Sequence, residues 1–369
     1  MKFETNDRLG FNGLDAALIE YLLTNGNEEK NCTVSPLSFK AALALTALGA
    51  EGETQRQLLD VLGFETAEEM TAWYASVLSG VAAFDERISG KDREICAYRV
   101  VNAIFHNTCC DGEFRESYRA LAEKQLDAAA CSYSADKITK AVNDWVKEQT
   151  AGMIPSIVED VSQSAAVLIN ALYLKSQWME SFHPSPLTAF TAFTGETVEK
   201  EFIHKTAKYR YYDDETCQLV VLPLKGGVSM AVILGDGRNL SDKLSAAESR
   251  EVHVTMPKFE VETFLCRKEL VNCLIALGCA KLFASDGSAE FDPMFTKDIY
   301  VEDILQRAKV KVDEKGLEAA AATAVIMTRT MAFFRQEEPV EFTADHPFQF
   351  VIFREDAAPE LLFWGQIME

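Results

Sequence analysis

Hydrolytic chemistry has few places to reside in this chain. A serine nucleophile is expected in a G-x-S-x-G turn, with a histidine and a carboxylate to activate it, and no such turn occurs. None of the five histidines lies in an H-E-x-x-H spacing, which would put two metal-binding imidazoles on one helical face. The nine cysteines are odd in number and make no C-x-x-C pair. The nearest metal candidate is His106 with the adjacent Cys109 and Cys110. Buried free thiols are the competing reading, because cysteine is among the most buried residue types. Free thiols also suggest a reducing or anaerobic setting. No hydrolase motif is therefore apparent, and neither a metal nor an organic cofactor is expected.

A different kind of chemistry is offered near the C-terminal end. Lys309 to Val312 close a strand-like stretch, Asp313-Glu314-Lys315-Gly316 follow, and then comes LEAAAATAVIMTRTMAFFRQEEPVEF. Neither Gly nor Pro occurs from Leu317 to Glu338. Alanine favours a helix. As a strand, the segment would point Leu317, Ala319, Ala321, Thr323, Val325 and Met327 one way, and Glu318, Ala320, Ala322, Ala324, Ile326 and Thr328 the other. The first set is uncharged throughout and small in its middle. Such a segment could be a loop in one state and a strand in another. A loop of more than about 15 residues inside a compact domain is usually functional.

The rest of the chain supplies a scaffold for that segment. Apolar residues make up 48% and charged residues 25% of 369, an ordinary globular composition. The formal charge of −21 argues against a phosphate-backbone partner. No apolar run approaches the roughly 18 residues that span a bilayer. The first residues, MKFETNDRLGFNG, lack the shape of a secretory leader, so the expectation is either that none is made or that a precursor segment is missing here. Phe11, Leu14, Leu18, Tyr21 and Leu22 fall at helical spacing and Asn25-Gly26 supplies a stop. Ser35-Pro36-Leu37-Ser38 reads as a helix start. Helices are also expected over Glu53 to Leu62, Thr66 to Leu78, Ser134 to Thr150 (with Ser134 as cap), Leu240 to Ala247 and Arg267 to Leu277. Strands are expected between Glu94 and His106, over Ala165 to Leu174 buried on both faces, repeatedly from Ala189 to Leu234, over Val252 to Thr263 with a break at Pro257, and in FQFVIF and LLFWGQI. The order predicts an α+β fold with large sheets and helices packed against them.

Several of these stretches together resemble the serpins. The likeness is carried by Asn31-Cys-Thr-Val-Ser35-Pro36-Leu-Ser38, by Leu168-Ile-Asn170-Ala-Leu-Tyr173-Leu-Lys175 with Trp178 just after, and by His253-Val-Thr-Met-Pro257-Lys-Phe259. Val312-Asp-Glu314-Lys-Gly316-Leu-Glu318-Ala-Ala-Ala-Ala-Thr323-Ala is the strongest element. Phe342-Thr-Ala344-Asp345-His346-Pro347-Phe348-Gln-Phe350 and Leu362-Phe363-Trp364-Gly365 complete it, so that the resemblance runs from about Leu9 to Ile367.

The resemblance implies one serpin domain over residues 1–369, with a large mixed sheet, two smaller sheets, about eight or nine helices and an exposed reactive-centre loop at about 317–338. It implies a protease inhibitor. A serine protease attacks the loop, forms an acyl-enzyme, and is trapped when the cut loop inserts as a new central strand of the large sheet, as serpins in general do. About 14 inserted residues at about 3.4 Å each would carry the protease nearly 50 Å. The hinge would be Glu314, Gly316, Leu317, Glu318, Ala319, Ala320, Ala321, Ala322 and Thr323. Its small residues suit entry into a packed sheet, where Pro would remove a hydrogen-bond donor and a buried charge would cost on the order of several kcal/mol. Ser35, Ser38 and Asn170 would lie at the shutter, where the sheet parts, and Trp178 at the breach, where the loop first enters. Two departures from the family pattern stand out. Leu317 occupies the first inward hinge position, usually Thr or Ser, and is bulkier. Gln306 stands where a His is usual and cannot titrate near neutral pH.

Counting from Gly316 places the reactive bond at Thr330-Met331, with Arg329 and Ala332 as alternatives on either side. Thr330 would suit an elastase-like pocket and Arg329 a trypsin-like one. The expected partner is a chymotrypsin-fold serine protease, elastase-like preferred, with subtilisin-like, trypsin-like or papain-like targets as alternatives; no nucleic acid and no membrane span are expected, and the chain is expected to be a monomer. The family suggests an extracellular or cell-surface location, with the cytoplasm as the alternative. A non-inhibitory member acting as chaperone, carrier or storage protein is the competing function.

Overall fold

The computed structural model describes residues 13–88, 90–94, 96–110, 112–265, 267–297, 299–301, 303–317, 338–355 and 360–369. In chain order the first elements are α1 (Gly13–Leu22), β1 (Cys32–Val34), α2 (Pro36–Leu48), α3 (Gly52–Leu62), α4 (Ala67–Arg87) and β2 (Ala97–Asn107). Then come α5 (Glu116–Leu126), β3 (Ala129–Tyr133), α6 (Ala135–Gln149), β4 (Ala166–Gln177), β5 (His183–Thr191), β6 (Thr197–Asp213), β7 (Cys217–Leu224) and β8 (Val228–Gly235). The last are α7 (Leu240–Ala246), β9 (Glu248–Pro257), β10 (Phe259–Leu265), α8 (Arg267–Ala276), β11 (Asp303–Val312), β12 (Gly316–Leu317), β13 (Val340–Thr343), β14 (Phe348–Arg354) and β15 (Glu360–Ile367).

Two sets of strands organise these elements. The central sheet runs β10-β11-β12-β4-β2-β3, with β11 parallel to β4 and β3 parallel to β2. The second runs β1-β15-β14-β8-β7-β6-β9-β13, with β5 added on β6. The smaller sheets expected from the sequence are hydrogen-bonded into one because β6 serves both: Phe202 to Tyr211 pair with β9, while Arg210 to Asp213 pair with β7.

Strand β4 shows why the fold is layered. Ala166, Leu168, Leu172 and Leu174 join the main core, while Val167, Ile169 and Ala171 join a second cluster with Ile138, Val142 and Val146 of α6. The residues Ile138, Val142 and Val146 recur every fourth position, so α6 presents one apolar stripe to the sheet. A continuous apolar run is required of a strand covered by helices on one side and core on the other. Helix α2 is buried along almost its whole length against the opposite face. It begins as its sequence predicts, with Ser35 extended at φ −111° and ψ 96°, its hydroxyl accepting from Ser38 N at 3.3 Å, and Pro36 in the first turn.

Several local expectations need correction. The strand read through Val252 to Thr263 is two strands, β9 and β10, and they lie in different sheets. Pro257 marks the handover, which fits its lack of an amide proton. Ser134 has the extended cap conformation but makes no side-chain cap bond. Helix α4 runs on to Arg87, well past Leu78. Helix α5 went unread, because its mean hydropathy is low and only Tyr118, Ala122 and Leu126 are buried.

Ile169→Ala and Leu168→Ala should each destabilise the protein by about 2–5 kcal/mol, through lost burial plus a residual cavity. Leu187, 61% exposed, should change stability by no more than about 0.5 kcal/mol on replacement with Ala. Denaturant unfolding of the three variants checks the contrast between the two faces of β4 and the surface.

Candidate functional site: a parted sheet and the turn that enters it

Strands β11 and β4 run side by side, but their parallel ladder covers only Asp303↔Val167 through Gln306↔Asn170. Beyond it, residues 307–311 and 171–175 form no strand pairing with each other among the described residues. Each strand is satisfied on its far side instead, β11 by β10 and β4 by β2. At the open end the two-residue strand β12 is seated between them, antiparallel to both, with Leu317 opposite Val312 on one side and Ser176 on the other. Leu317, expected at the first inward hinge position, is 3% exposed, so its bulk is accommodated between the two strands. The other residues expected at the hinge, Glu318, Ala319, Ala320, Ala321, Ala322 and Thr323, and the reactive-bond candidates Arg329, Thr330, Met331 and Ala332, lie outside the described residues.

The turn that delivers β12 is tied on every side. The Asp313 carboxylate accepts from Lys315 N at 2.7 Å and Gly316 N at 3.2 Å, and Asp313 N donates to Gly316 O at 3.0 Å. Trp178 is buried beneath it, its indole Nε1 donating to Asp313 O at 2.9 Å and its backbone N to Lys315 O at 2.9 Å. Phe182 N donates to Glu314 O at 2.8 Å. Gly316 sits at φ +151°, and a Cβ there would stand 2.2 Å from Ser176 O and 2.6 Å from Gln177 Cα, both backbone atoms. Only glycine fits that approach.

Charge fastens the same turn. Lys258, in the gap between β9 and β10, lies 3.0 Å from Glu314 and 3.0 Å from Glu201. Burial pushes the pKa of both turn carboxylates up. For Asp313 burial wins and its pKa lies above the ordinary value. For Glu314 the hydrogen bond and charge of Lys258, with smaller local contributions, outweigh burial, so its pKa lies below. The hydrogen bond that Glu314 accepts likewise holds the Lys258 ammonium above its ordinary value.

Below the gap runs a row of amides. Gln306, Asn170 and Asn102 stand in register on β11, β4 and β2, each 1% exposed. Gln306 grips the backbone at Ser35 from both ends, accepting from Ser35 N at 3.3 Å and donating to Ser35 O at 2.9 Å. The Ser35 hydroxyl donates to Leu362 O at 2.7 Å. Ser38 Oγ donates to Asn170 Oδ1, Asn170 Nδ2 donates to Asn102 Oδ1 at 2.5 Å, and Asn102 Nδ2 donates to Tyr74 Oη at 2.8 Å. Burial pushes the Tyr74 hydroxyl pKa well up, keeping it neutral. The two sides of the gap are therefore held by one turn of α2: β11 through Ser35, and β4 through Ser38.

The structure thus assembles Ser35, Ser38, Asn170 and Gln306 into one buried line, and Trp178, Glu314, Gly316 and Leu317 into a second group at the open end. Sequence reasoning missed Asn102, Tyr74 and Lys258. A signal for Asn102 was present, since it is the one amide inside AYRVVNAIF, and Lys258 lies within the quoted stretch His253 to Phe259 though no role was read for it; Tyr74 carried none. The metal candidate resolves differently. His106 is 1% exposed, with its ring between Phe114 and Phe295 at centroid distances of 5.8 and 5.6 Å, and burial followed by Arg119 lowers its pKa. It is a core ring and forms no metal set with Cys109 and Cys110. No described helix is long and apolar enough to cross a membrane.

A mixed sheet with two inner strands parted, and the two-residue strand β12 seated in the mouth of the gap, is the arrangement at this site. The family described as Serpin (serine protease inhibitor) matches residues 16–369, and the chain belongs to it. Similar proteins include the leukocyte elastase inhibitors of Bos taurus, 30% identical over 94% of this chain and 94% of that one, and of Xenopus laevis, 29% identical over 93% and 94%. Among solved structures, Serpin48 of the insect Tenebrio molitor is 26% identical with a TM-score of 0.79, covering 96% of this chain and 95% of its own. The complex of thyroxine-binding globulin with thyroxine has the same TM-score, 0.79, at 17% identity over 100% of this chain and 99% of that one, a likeness of fold.

Two tests address this geometry. Gln306→Ala leaves the buried Ser35 backbone groups without their partner and should cost about 1–3 kcal/mol, whereas Gln306→His, which keeps a donor and an acceptor, should cost less; thermal unfolding ranks the two. The depressed Glu314 pKa means that the stabilisation from its pairing with Lys258 is complete above the ordinary carboxylate pKa and is lost as pH falls through the lower, folded-state value. Glu314→Gln should flatten that acid limb of the stability profile, and an unchanged limb would assign it to other carboxylates.

Proposed function

We propose that the chain is an irreversible, suicide-substrate inhibitor of serine proteases, with elastase-like enzymes as its preferred targets. The observation that supports this reading is β12: Gly316–Leu317 is seated between β4 and β11, which beyond it form no strand pairing with each other among the described residues. Each inserted residue would add backbone hydrogen bonds at roughly 1 kcal/mol each, and burial of the small side chains at Ala319, Ala321 and Thr323 would add to them. The chemistry of acylation belongs to the protease. The inhibitor contributes a strand whose insertion outruns deacylation.

The elastase preference is supported by the relatives that carry leukocyte elastase inhibitor as their name, and by Thr330 at the bond counted from Gly316. Arg329 favours a second reading, trypsin-like specificity, one residue out of register. The domain assignment we propose is a single unit through residue 369, monomeric, acting outside the cell or at its surface. The cytoplasm is the second location, favoured by the eight cysteines that are free among the described residues.

An SDS-stable complex with an elastase-like protease is the expected primary result, and complete cleavage of the chain without any complex would sink the inhibitory reading. Ala321→Arg should convert the inhibitor to a substrate, because a charge would have to enter the sheet core. Arg329→Ala should leave elastase inhibition nearly intact and abolish any inhibition of trypsin, while Thr330→Arg should shift preference towards trypsin. The ratio of second-order rate constants for the two protease classes decides the register. Faster wild-type inhibition of trypsin, lost in Arg329→Ala, would move the specificity residue to Arg329.

A further inference from the structure

Three of the five histidines in the chain collect on one sheet face, away from the parted strands. His183 on β5 is directly opposite His204 on β6. His253 on β9 lies diagonally across from His204, whose own partner on β9 is Thr255. The ring centroids of His183 and His204 are 5.8 Å apart, and those of His204 and His253 are 5.7 Å apart. His183 is exposed and the other two are half-buried, so their edges reach solvent. The inhibitory reading makes no use of any of them.

That spacing has a chemical meaning. An imidazole bound to a transition metal through a nitrogen at about 2.0–2.1 Å has its ring centre about 3.2 Å from the ion. Two such rings on one ion have centroids roughly 4.5 Å apart at a right angle and roughly 5.2–5.8 Å apart at angles between tetrahedral and about 130°. Both neighbouring pairs in this row therefore stand within about 1.3 Å of the separations a shared ion would impose, close enough for the rings to turn about their side-chain bonds and aim a nitrogen at it. In their present orientations no three His, Cys, Asp or Glu side chains among the described residues are grouped to hold a metal, so the unit is a pair, with His204 common to both. His253 is already oriented. Its Nδ1 is 2.7 Å from Thr206 Oγ1, which, with Nδ1 as donor, leaves Nε2 as the free ligand. An outer partner of this kind is the usual companion of a metal-binding imidazole.

We propose that His204 and His253, with His183 at the edge of the site, form a surface site for a borderline transition-metal dication such as Ni2+, Cu2+ or Zn2+, the class that imidazole ligands select. Water fills the remaining positions. The site would tie β6 to β9. Strand β9 in turn holds β13 through Val252↔Val340 to Thr255↔Thr343, and β13 is the strand that resumes after residues 318–337. Occupancy would thus reinforce the anchor on the far side of the reactive segment.

Calorimetric titration of the full chain with Ni2+ at neutral pH tests this directly. Saturable binding is expected, weakened at least about tenfold in His204→Ala and measurably in His253→Ala and His183→Ala. His346→Ala is the control: its imidazole lies against the Asp345 carboxylate at 2.8 Å and is not one of the three rings in the row, and its loss should change nothing. The same variants keep every thiol, so binding at cysteine would persist in all of them. In wild type, Ni2+ should also protect His204 and His253 from diethyl pyrocarbonate, a readout that needs no mutation. Absence of saturable binding, affinity within twofold of wild type in His204→Ala, or modification of His204 undiminished by the metal would each overturn the site.

Discussion

Backbone groups in a sheet must find partners, and along one line of the central sheet two neighbouring strands do not pair with each other among the described residues. Strands β4 and β11 are joined by Asp303↔Val167 to Gln306↔Asn170, then separate, and the described residues supply only β12 at the far end. Strand edges are a liability, commonly covered or charged. Here the edges of β4 and β11 face each other inside the sheet, with β12 seated at one end. The rest of the architecture works to keep them apart without letting the sheet fall open.

That work is divided between the two ends of the gap. At the closed end, polar side chains are buried in a row where apolar ones would pack more simply. A satisfied polar network specifies one arrangement more narrowly than an apolar core does. The Gln306 amide commits β11 to Ser35, and Ser38 commits β4 to the same helical turn, so the spacing between the strands is set by α2 rather than by direct contact. Tyr74 and Asn102 add direction, since an amide offers different groups at its two ends and their chain of donors leaves the Asn170 oxygen facing Ser38. At the open end the fastening is electrostatic and local: Lys258 on Glu314, and the Trp178 indole on the Asp313 carbonyl. These few bonds fix the turn that delivers β12.

The second sheet carries the other end of the reactive segment. Because β6 belongs to both halves of that sheet, the short parallel pairing of β13 on β9 is continuous with the large apolar strands β7, β8 and β14. Strand β12, ending at Leu317, belongs to the central sheet, and β13, starting at Val340, belongs to the second.

Much was legible before any coordinates. The apolar continuity of Ala165 to Leu174 announced a strand buried on both faces and Ser35-Pro36 announced a helix start, because each depends on neighbours along the chain. The close approach at Gly316 was not legible in the sequence. What no local pattern could supply was which amide faces which hydroxyl. Asn102 and Tyr74 are separated by a helix end and a strand start, and Lys258 meets Glu314 across a long stretch of sequence. A single Asn in an apolar run, or a Lys after a Pro, reads the same whether it is solvated, paired or central. Periodicity records which face of an element is buried, and so the sequence by itself determined the layers and the candidate segment. Only the tertiary structure decided that the sheet is parted, and what holds it so, because the register between strands distant in sequence is set by the packing of the whole core.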